Sequence, residues 1–342
     1  VLRRGFYAIM ALSVSGLSVA ILMVLEPAPD VALVQVVVDI LAVVILVLAL
    51  SRLPRSQRYR AWQQSFSGNR LALSRDLIVA VLGGIGVFLI TPYYEANAKK
   101  LTGATDIVGA IVVDFRVFDT LVEIAVFSMA GLGVYTLLRY VAQYASDRAP
   151  DQPRLITRML PTYGISGPNT SHKPSAFVRA LTYVSLPLAM VLAAIQMMYG
   201  HDQPGDGFTA GVIVSLVVGL WYVVFGYNKT KARLTWLKPA PLIGWGLLLA
   251  IGNGIVAGLM QGNLFSNIDY GVLIGLTLPK GFHISSSFLT EVAIFMAVLG
   301  SATYILGSLG HPGERDSESA KRLAELDGPD LGTASAASTG VI

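Results

Sequence analysis

The chain of 342 residues contains no cysteine, only four histidines, and charged side chains at only 13% of its positions. The lack of cysteine excludes disulfide bonds, thiolate zinc sites and iron–sulfur ligation by this chain. Because the histidines are scattered, no histidine metal cage and no resident cofactor are expected. Soluble domains have about 25% charged residues, so the low charge, together with 54% hydrophobic residues, indicates a protein of the lipid bilayer.

Catalytic motifs of soluble enzymes are also absent, since the sequence has no phosphate-binding loop, nucleophile elbow or zinc signature. The chain is therefore expected not to be an enzyme. Its net charge of +4 does not indicate nucleic-acid binding, because the basic residues lie in short loops between apolar runs, where they report membrane topology.

Eight apolar runs are each about 20 residues long, which is enough for a helix to cross a bilayer. They predict an all-α polytopic membrane protein with about eight transmembrane helices in two four-helix bundles. The runs cover residues 5–25, 31–50, 76–94, 118–140, 178–199, 208–227, 241–261 and 284–308.

The distribution of lysine and arginine predicts the direction of these spans. All but four of these residues lie in the N-terminus, in alternate loops and in the tail; the exceptions are Lys99, Lys100, Arg116 and Lys280. By the positive-inside rule, both ends of the chain are expected in the cytoplasm of a bacterial or archaeal cell, with the chain in the plasma membrane.

A polar, proline-containing segment over 145–176 divides the chain into two parts. We expect one membrane bundle over 1–144, a cytoplasmic linker, and a second bundle over 177–310. The tail over 311–342 is rich in Ser, Gly, Ala and charge, which predicts a disordered cytoplasmic segment.

Asp39 lies well inside the second span, and Gln35 lies one helical turn before it on the same face. A carboxylate within a membrane is costly and by default functional. The alternative is a structural carboxylate that is hydrogen-bonded to Gln35 or to a neighbouring helix.

The densest group of charges is VDFRVFDTLVE at the outer start of the fourth span, with Asp114, Arg116, Asp119 and Glu123. On a helix Asp119 and Glu123 face the same side, and Arg116 is placed to neutralise Asp119. The net negative charge that remains suits a cation or a shared proton. A satisfied ion-pair network between helices is the alternative.

The eighth span resembles the fourth: EVAIF from Glu291 matches EIAVF from Glu123. His283 precedes Glu291 by two turns, and Lys280 lies beyond it. Carboxylate, imidazole and amine at graded depth would form a proton relay.

The segment GHDQPGDGFTAG over 200–211 carries His201, Asp202 and Asp206 between two apolar runs. The predicted topology places it at the outer surface. Its proline and glycines predict a tight turn that starts the sixth span, with Asp206 at the positive end of that helix. The alternative is a role for His201 and Asp202 at the outer mouth of an ion path.

Glycines in the seventh span, with Gly254 and Gly258 in GxxxG spacing, predict tight helix packing. Asn253 between two of these glycines is a weaker candidate for opening the backbone to an ion.

Three segments resemble a known family, the Mrp-type multisubunit Na⁺/H⁺ antiporters. PAPDVALVQVVVDILAVVILVLALSRLP (27–54) and VDFRVFDTLVEIAVFSMAGLGVYTLLR (113–139) resemble the C-terminal region of the MrpA protein of these complexes. GHDQPGDGFTAG resembles the GHxxPGGGFxGG signature of the MrpB protein. The order is that of an MrpA tail followed by MrpB, and the initial Val favours a piece of a longer fused polypeptide.

The polar residues of the family map onto this chain with two departures. Asp39 stands where the family usually has Glu, and Asp206 replaces the middle glycine of PGGG. The second departure argues against a loop that wraps a ligand with bare backbone. The matching positions are Asp30, Gln35, Asp114, Arg116, Asp119, Glu123, His201, Pro204, Gly205 and Gly207.

The resemblance implies a subunit of a cation/proton antiporter that exports Na⁺ at the expense of the proton motive force. Its expected partners are the antiporter-like and small membrane subunits of the complex, the lipid bilayer, and Na⁺ and H⁺, with Na⁺ bound only transiently. Two alternatives remain: a membrane-arm component of a proton-pumping, complex-I-like or hydrogenase enzyme, and a purely structural bridging subunit.

Overall fold

The computed structural model describes residues 2–25, 29–52, 70–147, 174–200, 205–262, 264, 266–275 and 284–310. Within them the chain forms eight long helices: α1 (Leu2–Leu25), α2 (Pro29–Arg52), α3 (Arg70–Thr102), α5 (Val117–Asp147), α6 (Ala176–Tyr199), α7 (Gly207–Phe225), α9 (Pro239–Gln261) and α11 (Ser286–Gly310). Short helices connect them: α4 (Ile107–Ala110), a π-helix (Ile111–Phe115), α8 (Tyr227–Arg233) and α10 (Tyr270–Leu273).

Each predicted span coincides with one long helix that is apolar and long enough to cross a membrane. The prediction of an all-α polytopic membrane protein is therefore confirmed. The helices form where the sequence offers uninterrupted apolar runs. Ser175 caps α6, Asp206 caps α7, and Pro239 occupies the first helical position of α9, where its missing N–H costs nothing.

Helix α11 lies at the centre of the molecule and α3 at its edge. In α11, 78% of the span residues are buried, whereas none of the span of α3 is buried. One apolar cluster joins α11 to α2, α5, α7 and α9; it includes Val37, Leu41, Ile124, Val212, Ala250, Ile294 and Val298. Helices from both parts of the chain therefore share one core.

The proposed division of the chain stays a prediction. Residues 148–173, which make up most of the predicted linker, lie outside the described residues, as does the predicted disordered tail over 311–342.

The tight packing predicted for the seventh span occurs between α9 and α11. A Cβ added to Gly246 would lie 2.8 Å from the carbonyl oxygen of Ala293 and 2.9 Å from the amide nitrogen of Ala297. Gly254 is also buried, whereas a Cβ at Gly258 would meet the flexible side chain of Leu264. A close approach thus occurs at Gly246, two turns before the GxxxG pair, and another occurs where a Cβ at Gly300 of α11 would lie 2.7 Å from the carbonyl oxygen of Pro239.

Candidate ion-coupling site

A change of helix type places Asp114 at the junction of the two parts of the chain. Asp106 caps α4 by accepting hydrogen bonds from the N–H groups of Val108 (3.2 Å) and Gly109 (2.6 Å). The backbone then continues as the π-helix, which closes with a hydrogen bond of 2.8 Å from the N–H of Arg116 to the carbonyl of Ile111. A π-helix inserts an extra residue per turn and is frequent at functional sites.

The Asp114 carboxylate accepts a hydrogen bond of 2.6 Å from the Ser287 hydroxyl on the first turn of α11. The two residues are 173 positions apart in the chain. This contact therefore joins the segment before α5 to the start of the central helix.

Glu291, one turn further along α11, is the most deeply buried carboxylate of the site. Its side chain is 4% exposed, and it accepts a hydrogen bond from the backbone N–H of Gly207, the first residue of α7. The absence of a side chain at Gly207 permits this approach, because an added Cβ would lie 2.7 Å from Glu291 Oε2. The positive end of α7 thus faces the Glu291 carboxylate.

Asp206 lies beside this contact at the positive end of α7, as predicted, and it is the N-cap residue of that helix. Its carboxylate accepts a hydrogen bond of 2.7 Å from the N–H of Thr209. Burial raises the pKa of Asp206 above its ordinary value, and the charge of Asp106 raises it further, while the contact with Thr209 lowers it.

Three further carboxylates, those of Asp206, Asp114 and Asp106, place negative charge near Glu291. These four carboxylates form what we call the acidic junction. They are not arranged as a metal cage, because the described residues contain no group of three or more potential metal ligands. Several carboxylates in one region compete for protons or cations, since their simultaneous ionisation is unfavourable.

Asn253 holds the first turn of α11 in place beside the junction. Its amide donates hydrogen bonds to the carbonyl of Ser286 (2.8 Å) and to the Thr290 hydroxyl (3.0 Å), and its oxygen accepts one from the Tyr270 hydroxyl (3.0 Å). The side chain of Asn253 is thus committed to protein partners, and its structural role is to join α9, α10 and α11.

Asp39 forms a second, separate group. Gln35 Nε2 donates a hydrogen bond of 3.0 Å to Asp39 Oδ1, as the spacing of four residues predicted. The other oxygen, Oδ2, is buried with no hydrogen-bond partner in the described part of the chain, and it packs directly against Gly16 of α1.

The remaining charges of the VDFRVFDTLVE segment face outward. Arg116 and Asp119 form the predicted ion pair, with side chains 60% and 50% exposed. Glu123 is exposed as well. The structure therefore divides the predicted constellation, since Asp114 turns inward to Ser287 while the other three charges lie on the surface of the chain.

Four predicted residues lie outside the described part of the chain: His201, Asp202, Lys280 and His283. The relay from Glu291 through His283, and the outer mouth at His201 and Asp202, stay predictions. Conversely, the structure adds Asp106 and Ser287 to the site. Asp106 carried a local signal, an acidic residue before a short apolar helix, whereas nothing in the sequence around Ser287 indicated its partner.

Carboxylates inside a bundle of membrane-spanning helices are the arrangement typical of ion-translocating membrane proteins. Comparison with known proteins shows which families the chain resembles. Residues 177–304 match the domain described as related to the MnhB subunit of Na⁺/H⁺ antiporter. Residues 1–55 and 71–154 match the MbhD and MbhE families, which are described as the D and E subunits of MBH.

Individual relatives agree with these matches. A probable K⁺/H⁺ antiporter A/B subunit of Rhizobium meliloti is 30% identical over 94% of this chain and 33% of its own length. The Na⁺/H⁺ antiporter A1 subunit of Staphylococcus haemolyticus is 34% identical over 42% of this chain and 19% of its own length. Among solved structures, the Mrp complex from Dietzia sp. aligns with a TM-score of 0.61 and 25% identity, over 89% of this chain and 32% of the matched chain.

The chain is therefore similar to Mrp-type antiporter subunits over most of its length, with an MrpA-like part followed by an MrpB-like part. It spans about a third of the length of the A/B relative.

Proposed function

We propose that the chain is a membrane subunit of a multisubunit cation/proton antiporter in the plasma membrane, with both of its ends in the cytoplasm. The complex would export Na⁺ or K⁺ at the expense of the proton motive force. The relatives named above support this function, and both cations occur in their names. The other antiporter subunits are the expected partners.

The observation that carries the proposal is the burial of Glu291 against the first N–H of α7. A buried carboxylate needs either a positive partner or a proton. The amide N–H and the positive end of α7 favour the ionised carboxylate, while the neighbouring carboxylates of the acidic junction compete with it for protons. Two opposed influences of this kind suit a group that takes up and releases a proton during transport.

Asp114 and Ser287 extend the site toward the first part of the chain. When Glu291 is ionised, the Ser287 hydroxyl and the surrounding oxygen atoms offer the hard ligands that Na⁺ or K⁺ prefers after losing water. When Glu291 is protonated, the same region loses one negative charge and its attraction for the cation falls. In this way one carboxylate would couple the two ions.

The test is replacement of Glu291 by Gln, which keeps the shape and removes the charge. Exchange is measured in everted membrane vesicles that contain the whole complex, as the collapse of a respiratory proton gradient on addition of Na⁺ or K⁺. We expect E291Q to abolish exchange while the complex still assembles. Glu95→Gln is the matched control, because Glu95 is an exposed glutamate outside the acidic junction. D39N and E123Q, measured in parallel, test the other predicted carboxylates.

Wild-type exchange in E291Q would remove Glu291 from the coupling mechanism. A complex that is lost in E291Q but intact in E95Q would instead support the purely structural bridging role. The amount of intact complex recovered through a tag on this chain separates these outcomes.

A second candidate function is favoured by the matches of residues 1–55 and 71–154 to MBH proteins. In that case the chain belongs to the membrane arm of a redox-driven proton pump. Purification of the intact complex distinguishes the two, because iron–sulfur subunits would copurify only with the redox enzyme.

A further inference from the structure

Three buried hydroxyl groups in the membrane-spanning helices have no hydrogen-bond partner in the described residues, and they belong to Ser128, Thr209 and Ser301. Thr209 lies at the start of α7, whereas the two serines lie deeper in the bundle. Ser128 on α5 is 1% exposed and Ser301 on α11 is 0% exposed. Neither Oγ atom has a partner within the described part of the chain. Two comparably buried hydroxyls are bonded to their own helices: Ser215 donates to the carbonyl of Gly211 (2.6 Å), and Thr303 donates to that of Leu299.

The two serines lie at the same interface, between α5 and α11. A Cβ added to Gly131 of α5 would lie 3.2 Å from both the Cα and the Cβ of Ser301. Ser128 lies one turn before Gly131, and residues three apart on a helix have Cβ atoms about 5–6 Å from each other. The Cβ atoms of the two serines are therefore at most about 9 Å apart, a gap that about one or two water molecules bridge.

Neither lipid nor a neighbouring protein can reach these hydroxyls, because both side chains are buried within this chain alone. A buried hydroxyl without a partner costs about 1–3 kcal/mol. A water molecule between the two hydroxyls would satisfy both groups, and buried water in proteins occupies such polar positions.

The pair lies much deeper in the membrane than the acidic junction. Ser301 follows Glu291 by ten residues on α11, which is roughly 15 Å at the rise of an α-helix. Between them lies an apolar layer that includes Ile124, Ile294 and Val298. A hydrated cation would have to lose its water to cross this layer, whereas a proton needs only a transient file of water.

We propose that Ser128 and Ser301 hold internal water between α5 and α11, and that this water passes protons between the acidic junction and the cytoplasmic half of the membrane. The transport role rests on the proposed antiport function, whereas the water site does not. A serine hydroxyl both donates and accepts hydrogen bonds, so a chain of serine, water and serine transfers a proton while leaving each oxygen with its original number of protons.

The first experiment is a cryo-electron microscopy structure of the intact complex at a resolution that shows ordered water. We expect water density within hydrogen-bonding distance of both Oγ atoms. Hydroxyls that instead donate to the carbonyls of Ile124 and Ala297, with no density between them, would overturn the proposal.

The second experiment is the double variant S128A/S301A, assayed for exchange in vesicles and normalised to the amount of complex. We expect unchanged assembly and exchange that is slower by about tenfold, equivalent to about 1.4 kcal/mol in the barrier. Ser215→Ala is the matched control, because Ser215 is equally buried but its hydroxyl is already bonded to its own helix.

Wild-type exchange in S128A/S301A overturns the relay, and so does a loss of complex that S215A does not share, since the hydroxyls would then be structural. Measuring E291Q in the same preparations separates the two proposals. If E291Q exchanges normally, the coupling role of Glu291 fails, while the water density still decides the site between α5 and α11.

Discussion

Replacement of Gly207 by Ala tests the contact on which the acidic junction depends. The added methyl would lie 2.7 Å from Glu291 Oε2 and closer still to the Glu291 carbonyl oxygen. Both helices would have to separate, because the closest atom belongs to the backbone of α11. Overpacking of this kind costs about 1–3 kcal/mol, and it moves Glu291 away from the N–H that binds it.

The assay is the thermal midpoint of the purified complex, followed by fluorescence-detected size exclusion, together with exchange in vesicles. Gly133→Ala on α5 is the control, because a Cβ at Gly133 meets nothing within 4 Å and alanine favours the helix by about 0.5–1 kcal/mol. We expect a lower midpoint and slower exchange for G207A only. A G207A complex with the midpoint and exchange rate of the wild type would refute the close contact between α7 and Glu291.

Two further predictions concern the support of the site and its orientation. Asn253→Leu should lower the thermal midpoint more than Tyr270→Phe. The reason is that N253L leaves several buried groups unsatisfied at about 1–3 kcal/mol each, whereas Y270F loses one hydrogen bond. Equal midpoints for the two variants would contradict this prediction. The chain has no cysteine of its own, so Thr105→Cys and Lys229→Cys each provide a unique label on exposed positions. In intact cells, a membrane-impermeant maleimide should modify T105C and not K229C. Labelling of the detergent-solubilised complex shows that both cysteines are reactive. Modification of K229C and not T105C would invert the proposed topology.

The spans and the local contacts of the site were predictable because both depend on residues close in sequence. A run of about 20 apolar residues has few alternatives to a membrane helix. The bond between Gln35 and Asp39, the ion pair of Arg116 and Asp119, and the cap formed by Asp206 all follow from helix spacing or helix polarity.

The long-range contacts of the site were not predictable from the sequence. Glu291 and Gly207 are 84 residues apart, and no local pattern indicates that one helix end faces the other's carboxylate. The direction of the Asp114 side chain was also not predictable, because it depends on the π-helix. Its extra residue changes the direction of Asp114 relative to Asp119, whereas α-helical spacing had grouped them together.

The two similar glutamates of the fourth and eighth spans show how far local sequence determines a role. Glu123 and Glu291 open nearly identical apolar motifs, yet Glu123 is exposed on α5 while Glu291 is 4% exposed on α11. The difference arises because α11 packs against helices from both parts of the chain, whereas the side chain of Glu123 lies on an exposed part of α5. Glu291 is consequently stabilised by a group of its own chain, the N–H of Gly207. A carboxylate such as Glu123, on the surface of a membrane span, depends on water or on a neighbouring protein of the complex to offset its charge. In the proposed antiport mechanism, the acidic junction is therefore the part that this chain can form by itself, while the role predicted for Glu123 would require the assembled complex.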